Sequence, residues 1–391
     1  MTVLSLADVD IHQKRLLIRV DFNVPMQEGR ITNDARIRAT LSTITQAVKA
    51  QSRILLVSHL GRPKPGQFDP VFSLAPIAAH LSELLKQSVP LISDWINGVD
   101  IQPGQVALAE NVRFLPGEET DDIELAKKMA KLCDVFVMDA FGAAHRAQAS
   151  THGIAKFAPV ACAGPLVIAE VAALEKALVA PKHPLVAVVG GSKVSSKLSV
   201  LEQLVNKVDC LIVGGGIANT FLAAEGYPIG KSLYEKDLIP VAKKLQAQLK
   251  ARNASLPLPV DVVVAAEFSA NATPQICQVS AVPEDTMILD IGPETIKLYQ
   301  QQLSNAGTII WNGPVGVFEF PAFSQGTAAI AQAIANSHAF SLAGGGDTLA
   351  AIEEYKVEKE ISYISTGGGV FLEFLGGAEL PALKILQSSG K

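Results

Sequence analysis

The sequence predicts an α/β protein built from two doubly wound domains. Three observations carry this. Short apolar runs rich in Val and Ile alternate with longer segments of helical spacing. The runs are unbroken rather than alternating, as strands covered on both faces of a parallel sheet require. There are about ten of them, more than a single sheet usually holds, in a chain whose 391 residues suffice for two or three domains.

In chain order, the first half offers strands at 16–20, 54–57, 106–108 and 135–138. The second half offers 185–189, 211–213, 262–265, 308–311, 339–342 and 361–364. Helical spacing fills 35–50, 121–132 and 194–208, the first capped by Asn33 or Asp34. Gly164-Pro165 opens a further helical pattern over 166–179, and Pro181 and Pro184 close it. The domain boundary is therefore expected at 165–184.

Nearly every run ends in polar or glycine-rich residues. Asp21-Phe22-Asn23, Ser58-His59-Leu60-Gly61-Arg62, Glu110-Asn111-Val112-Arg113 and Asp139-Ala140-Phe141-Gly142 follow strands of the first half. Gly190-Gly191-Ser192-Lys193, Gly214-Gly215-Gly216, Asn312-Gly313-Pro314, Gly344-Gly345-Gly346-Asp347 and Thr366-Gly367-Gly368-Gly369 follow those of the second. Open α/β sheets bind ligands at these carboxyl ends.

The halves differ in chemistry. Nine of ten arginines lie before residue 176, and 21 of 30 glycines lie after it. The net charge of −5 argues against a basic nucleic-acid binder but leaves room for a local anion site. Cys133, Cys162, Cys210 and Cys277 form no C-x-x-C pair and read as buried free thiols. The N-terminal residues carry charges where a secretory leader needs an apolar stretch. The apolar region 157–180 is broken by Pro159, Pro165, Glu170, Glu175 and Lys176, so it is not a membrane span. A cytoplasmic protein with no membrane partner is expected.

His59, Arg62, Arg113 and Arg146 each follow a strand, and Arg36 stands in the first turn of a helix. Converging arginines repel unless an anion neutralises them, and their planar forks suit phosphate and carboxylate. The alternative is that each pairs with a surface acid. Asp21 and Asn23 either bind ligand hydroxyls or cap a turn before Pro25.

In the second half, Lys193 and Lys197 stand one turn apart at a helix start, where they could neutralise phosphate. Asp347 offers a carboxylate for nucleotide-bound Mg²⁺, or an N-cap. Glu319 could accept from a ribose hydroxyl. Two familiar loops fail: Asn219 breaks G-x-G-x-x-G, and Glu225 stands where a Walker A loop before Gly230-Lys231-Ser232 needs glycine.

Together these segments closely resemble phosphoglycerate kinase, in family order and over essentially the whole chain. The matching stretches are 19–25 (Arg-Val-Asp-Phe-Asn-Val-Pro), 34–38 (Asp-Ala-Arg-Ile-Arg), 58–63 (Ser-His-Leu-Gly-Arg-Pro), 110–114 (Glu-Asn-Val-Arg-Phe), 139–142 (Asp-Ala-Phe-Gly) and 144–147 (Ala-His-Arg-Ala). They continue with 190–194 (Gly-Gly-Ser-Lys-Val), 311–319 (Trp-Asn-Gly-Pro-Val-Gly-Val-Phe-Glu), 345–348 (Gly-Gly-Asp-Thr) and 365–369 (Ser-Thr-Gly-Gly-Gly). Ser196 stands where many members carry Asp, and Ala143 where Thr is common.

The resemblance implies two Rossmann-like parallel-sheet domains joined by a helical hinge: 1–170 with about 380–391 returning to it, and 171–379. It implies Mg²⁺-dependent, reversible phosphoryl transfer between 1,3-bisphosphoglycerate and ADP, giving 3-phosphoglycerate and ATP. Asp21, Asn23, Arg36, His59, Leu60, Gly61, Arg62, Arg113 and Arg146 would bind the phosphoglycerate. Lys197, Asn312, Glu319, Gly345, Gly346, Asp347 and Thr348 would bind the nucleotide, with Mg²⁺ held through Asp347. Arg36, Lys193, Lys197, Gly368 and Gly369 would act on the moving phosphoryl. A monomer with no nucleic-acid partner is the corresponding expectation. The acceptor carboxylate is already ionised at pH 7, so no general base is needed; positioning and charge neutralisation remain. With substrates on different domains, hinge closure is expected to bring them together and exclude water. The rivals are a nicotinamide-dependent oxidoreductase and a non-catalytic two-domain binding protein.

Overall fold

The computed structural model describes residues 3–388. The chain divides into two compact units, 1–171 with 379–391, and 172–378.

The first unit holds β1 (Arg15–Arg19), β2 (Met26–Gln27), β3 (Arg30–Ile31), β4 (Arg53–Val57), β5 (Leu91–Ile92), β6 (Val106–Ala109), β7 (Val135–Met138) and β8 (Val160–Ala163). Six of these form a parallel sheet in the order β5-β6-β4-β1-β7-β8, and β2-β3 is a separate hairpin. Successive residues Leu16, Leu17 and Ile18 are all buried, so both sheet faces are covered, as the unalternated runs require. The chain leaves β1 for β4 on one side and later returns to β7 on the other. The carboxyl end of β1 is therefore a topological switch point, and Asp21, His59 and the residues after β7 issue beside it.

Helices α1 (Ala35–Lys49), α2 (Ala75–Leu85), α3 (Ile123–Lys131) and α4 (Ile154–Phe157) accompany this sheet. α3 shows the local logic. Asp122 caps it by accepting from Leu125 N at 2.8 Å. Leu125, Ala126, Met129 and Ala130 make its buried stripe, while Glu124 opens it and Lys128 and Lys131 close it, matching the helix dipole. At α1, Asn33 Oδ1 accepts from Ala35 N at 3.0 Å. Asp34 makes no such bond; its carboxylate instead holds Arg38 and His80. α5 (Pro165–Leu178) carries the chain across the boundary between units.

The second unit holds β9 (Leu185–Gly191), β10 (Cys210–Gly214), β11 (Asp261–Ala265), β12 (Gln275–Gln278), β13 (Met287–Ile291), β14 (Thr308–Asn312), β15 (Phe340–Ala343) and β16 (Tyr363–Ile364). Its parallel sheet runs β10-β9-β14-β15-β16, with the switch point at β9. The helices are α6 (Leu198–Leu204), α7 (Gly215–Ala224), α8 (Ile239–Ala251), α9 (Pro293–Ser304), α10 (Gln325–Ala335), α11 (Gly346–Tyr355) and α12 (Gly369–Leu375).

α13 (Pro381–Ser388) belongs to the first unit. Its Ala382 N donates to Ala144 O at 3.2 Å, and Leu383 and Leu386 are buried. Of the tail expected to return to this unit, 389–391 lie outside the described residues.

Several expectations need correcting. Residues 262–265 form a strand, but in a three-stranded antiparallel sheet, β12-β11-β13, rather than a parallel one. β12 is largely exposed and β13 carries a buried acid, Asp290, next to its last residue, so neither reads as an apolar run. β8 lay hidden in the apolar stretch that continues into α5. The helix expected over 194–208 is a short 3₁₀ turn at Ser195–Lys197 followed by α6, which ends at Leu204. Residues 361–364 contribute only the half-buried edge strand β16. All four cysteines are free, but Cys277 is half-buried on β12 rather than buried.

Candidate active site

In the first unit, loops after β1, β4, β6 and β7 are tied to one another. Ser58 Oγ accepts from Phe22 N at 2.9 Å, joining the loops after β1 and β4. Asn23 Oδ1 accepts from Gly61 N at 2.9 Å. Asn111 accepts from Leu60 N at 3.3 Å and donates to Leu60 O at 2.8 Å, adding the loop after β6. Gly61 sits at φ +59° with Phe72 against it, so a side chain there would clash in a left-handed backbone.

These loops bring a basic cluster together. Arg36 Nη1 lies 3.0 Å from Asp21 Oδ2 and donates to Asn23 O at 3.0 Å. Arg113 is 3% exposed, and its Nη1 donates to Gly61 O. Its Nε has a 3.5 Å ion pair with Glu119, while Nη2 is buried with no hydrogen-bond partner. Arg146 Nε donates to His145 Nε2 at 2.9 Å. The surface-acid alternative is thus realised in part, at Arg36 and Arg113. Arg62 stands apart: it is exposed, and its guanidinium is outside this network.

His59 is buried at the centre. Desolvation, then Arg19, Arg113, Arg146 and Arg36, push its ring well below the usual histidine range. It is neutral at pH 7 and acts as a hydrogen-bonding group, not a charge. Arg19 contacts it at 3.1 Å and is itself wholly buried. The sequence gives Arg19 no role, because it sits inside an apolar run at the end of β1.

In the second unit, the switch point at β9 is closed by contact between backbones. A Cβ on Gly190 would collide with the Pro314 carbonyl, so the glycine allows the loops after β9 and β14 to touch. This glycine serves packing and is not itself free to cradle phosphate. Gly346 and Gly369 differ, since a Cβ at either would meet open space. Gly369 starts α12, and Gly368 before it has φ +54°.

Lys197 Nζ donates to Asn312 O at 3.0 Å and also to Asn312 Oδ1. Burial lowers its pKa to about 8 against a raising effect of Asp347. Asn312 Nδ2 donates to Gly344 O at 2.7 Å, and Thr348 Oγ1 donates to Gly344 O and accepts from Gly313 N. Asn312 and Thr348 thus brace β14 against the start of α11, which exposes Gly346 and Asp347. Lys193 is exposed on a loop held from two sides. Glu235 accepts from Ser195 N at 2.8 Å and Ser195 Oγ at 2.6 Å, and Ser196 Oγ donates to Lys193 O at 2.7 Å.

Beside this loop is a cavity of about 340 Å³, within the size range of small-ligand sites. Leu233, Val262, Phe268, Leu289, Val315 and Val317 give it apolar walls, and Glu319 and Asp347 line its polar side. Asp290 also lines it; burial raises its pKa to about 7, although Gly326 N and Ile291 N both donate to it. Sequence reasoning found the polar side and missed the walls, of which Val262 and Leu289 come from the antiparallel sheet and Leu233, Phe268, Val315 and Val317 from loops. No group of three or more metal-ligating side chains occurs among the described residues. Mg²⁺ takes one or two carboxylates and completes its shell with phosphates and water, and Asp347 on the cavity's polar side is a donor of that kind.

A family model described as phosphoglycerate kinase matches residues 6–378. The chain belongs to the phosphoglycerate kinase family. It is 58% identical over 387 residues to a phosphoglycerate kinase of Nitratidesulfovibrio vulgaris, covering 99% of this chain and 98% of that one. The solved phosphoglycerate kinase of Coxiella burnetii superposes with a TM-score of 0.97 at 55% identity, over 100% of both chains. That of Pyrococcus horikoshii OT3 gives 0.82 at 34% identity, over 99% of both. As a phosphoglycerate kinase, the protein is a phosphotransferase of glycolysis, with ATP/ADP and Mg²⁺ as its nucleotide and metal. No helix among the described residues is long and apolar enough to cross a membrane.

Proposed function

We propose that the basic cluster of the first unit binds 3-phosphoglycerate and 1,3-bisphosphoglycerate, and that the cavity of the second unit binds ADP and ATP with Mg²⁺. The observation that carries the first assignment is Arg113: a guanidinium edge is buried with Nη2 unpartnered. A buried donor without an acceptor is costly, and an anionic oxygen would satisfy it. Arg146 supplies a second charge nearby. His59 donates without adding charge, and Asp21 and Asn23 offer acceptors for a hydroxyl. In this reading Arg62 reaches the ligand only when the ligand is present.

In the second unit, the apolar walls accept a base and Glu319 a ribose hydroxyl, and Gly346 and Gly369 leave backbone room for phosphates, while Gly345, held against Asn312, and Gly368 shape the turns that lead to them. Asp347 would hold Mg²⁺, which when bound neutralises nucleotide phosphate oxygens. Lys197 carries positive charge to the transferring phosphoryl, with Asn312 fixing where its ammonium points. Lys193 adds an exposed charge on the same loop. Arg36 orients the acceptor carboxylate and withdraws charge from the moving group. No proton needs to be removed from the acceptor.

The reading extends to a monomeric cytoplasmic enzyme without a nucleic-acid partner. The net charge of −5 and the four free cysteines support that part. The test is calorimetric titration of 3-phosphoglycerate into the wild type and Arg113→Met, beside a coupled assay for ADP formation from MgATP. Binding is expected in the wild type and its loss in the variant. Unchanged binding by Arg113→Met would remove the cluster from this role.

A further inference from the structure

We propose that Glu118 and Ser150 are positioning residues that, acting through Arg19, fix the ring proton of His59 on Nε2. The proposal deepens the phosphoglycerate-site reading and rests on it for its kinetic part.

Glu118 and Arg19 are 1% and 0% exposed, and Ser150 lies wholly buried between them. Ser150 Oγ donates to Glu118 Oε1 at 2.5 Å and accepts from Arg19 Nε at 3.0 Å. Ser150 N donates to Glu118 Oε2 at 2.9 Å. Both carboxylate oxygens and the hydroxyl are thereby engaged. Arg19 Nη1 is taken by Val20 O at 2.5 Å, and Nη2 lies 3.1 Å from His59 Nδ1.

A guanidinium has only donors to offer. His59 Nδ1 must therefore accept, and a proton there would set two donors face to face. A neutral ring then carries its proton on Nε2. The surrounding charges oppose a second proton: Arg19, Arg113, Arg146 and Arg36 all act on the ring. The acids that act on Arg19 are Glu118 and Asp21; Glu118 is engaged by Ser150, and Asp21 is paired with Arg36. The outcome is a neutral N–H donor within a cluster of cations. It can bind an anionic or hydroxyl oxygen without adding to the repulsion among the arginines. Without Glu118 the buried Arg19 loses its countercharge, and without Ser150 it loses the atom that orients its fork.

Long-range ¹H–¹⁵N spectra of the labelled full-length protein test this, with His59 assigned by His59→Gln. The wild-type ring is expected to show an unprotonated Nδ1 and a protonated Nε2, without titrating between about pH 5.5 and 8. In Ser150→Ala and Glu118→Gln, checked for folding by circular dichroism, the His59 nitrogens should shift toward a tautomer mixture. KM for 3-phosphoglycerate should rise by about fivefold or more while KM for MgATP stays within about twofold, and Glu118→Asp should recover part of the loss. A wild-type imidazolium at pH 7, or a proton on Nδ1, overturns the proposal even if the variants do not fold. So does a folded Ser150→Ala with unchanged His59 signals. If the tautomer holds but His59→Gln binds 3-phosphoglycerate normally, the site reading fails and the tautomer assignment stands.

Discussion

Arg36 Nη1 is shared between two oxygens, the Asp21 carboxylate and the Asn23 carbonyl, each at 3.0 Å. The side chain is thus oriented before any ligand arrives, and an acid already offsets part of its charge. Arg36→Ala should lower turnover by about 10²–10³, the size expected for losing one preorganised charge donor. Arg36→Lys should recover little, since a single ammonium cannot reproduce the fork. Steady-state kinetics at saturating substrates decides this; near-normal kcat in Arg36→Ala would exclude the role.

Lys197 supplies a pH dependence. Its free-enzyme pKa of about 8 means the ammonium is present below that pH and lost above it. Since its proposed task needs the charge, kcat/KM for MgATP should fall as pH rises through about 8. Lys197→Arg, charged throughout, should lose that limb of the profile. A wild-type profile flat to pH 9.5, about 1.5 units beyond this pKa, would count against the assignment.

Asp347 is the one carboxylate at the exposed start of α11 that also lines the cavity. Asp347→Asn should raise the Mg²⁺ concentration for half-maximal rate by about tenfold, equivalent to about 1.4 kcal/mol. The affinity for 3-phosphoglycerate should not change. Isothermal titration of each ligand separates the two effects.

Ser196 tests how far a departure from the common family pattern matters. Its hydroxyl donates to Lys193 O, a bond that an ionised Asp could not make. Ser196→Ala should cost about 0.5–1.5 kcal/mol of stability, one exposed hydrogen bond or less, and change kcat by under about threefold. Denaturant melts beside the activity assay would check both values.

Part of this arrangement is legible in the sequence. His59, Arg113 and Arg146 follow strands, and the carboxyl ends of parallel strands are where doubly wound sheets gather function. Lys197 and Asp347 were legible for a different reason: charge at a helix start is chemically marked. Arg19 and Glu118 were not, because one sits inside an apolar run and the other in an acidic loop that reads as solvent-facing. Their burial follows from the packing of Ser150 between them, which no local pattern encodes. The cavity walls were also illegible. Phe268 and Val317 carry no chemistry of their own, and β13, which supplies Leu289, lacks the apolar signature of the parallel strands because Asp290 interrupts it. Arg62 was placed with the other arginines by its position after β4, yet it remains exposed.

α13 belongs to the first unit although the whole second unit precedes it in the chain. During synthesis, the sheet from β1 to β8 can form early, but the apolar surface that Leu383 and Leu386 cover stays open until the last residues emerge. The second unit, complete by residue 378, can fold before the first is finished. A C-terminal truncation would therefore strike the first unit, the half proposed to bind phosphoglycerate and the part of the protein made first.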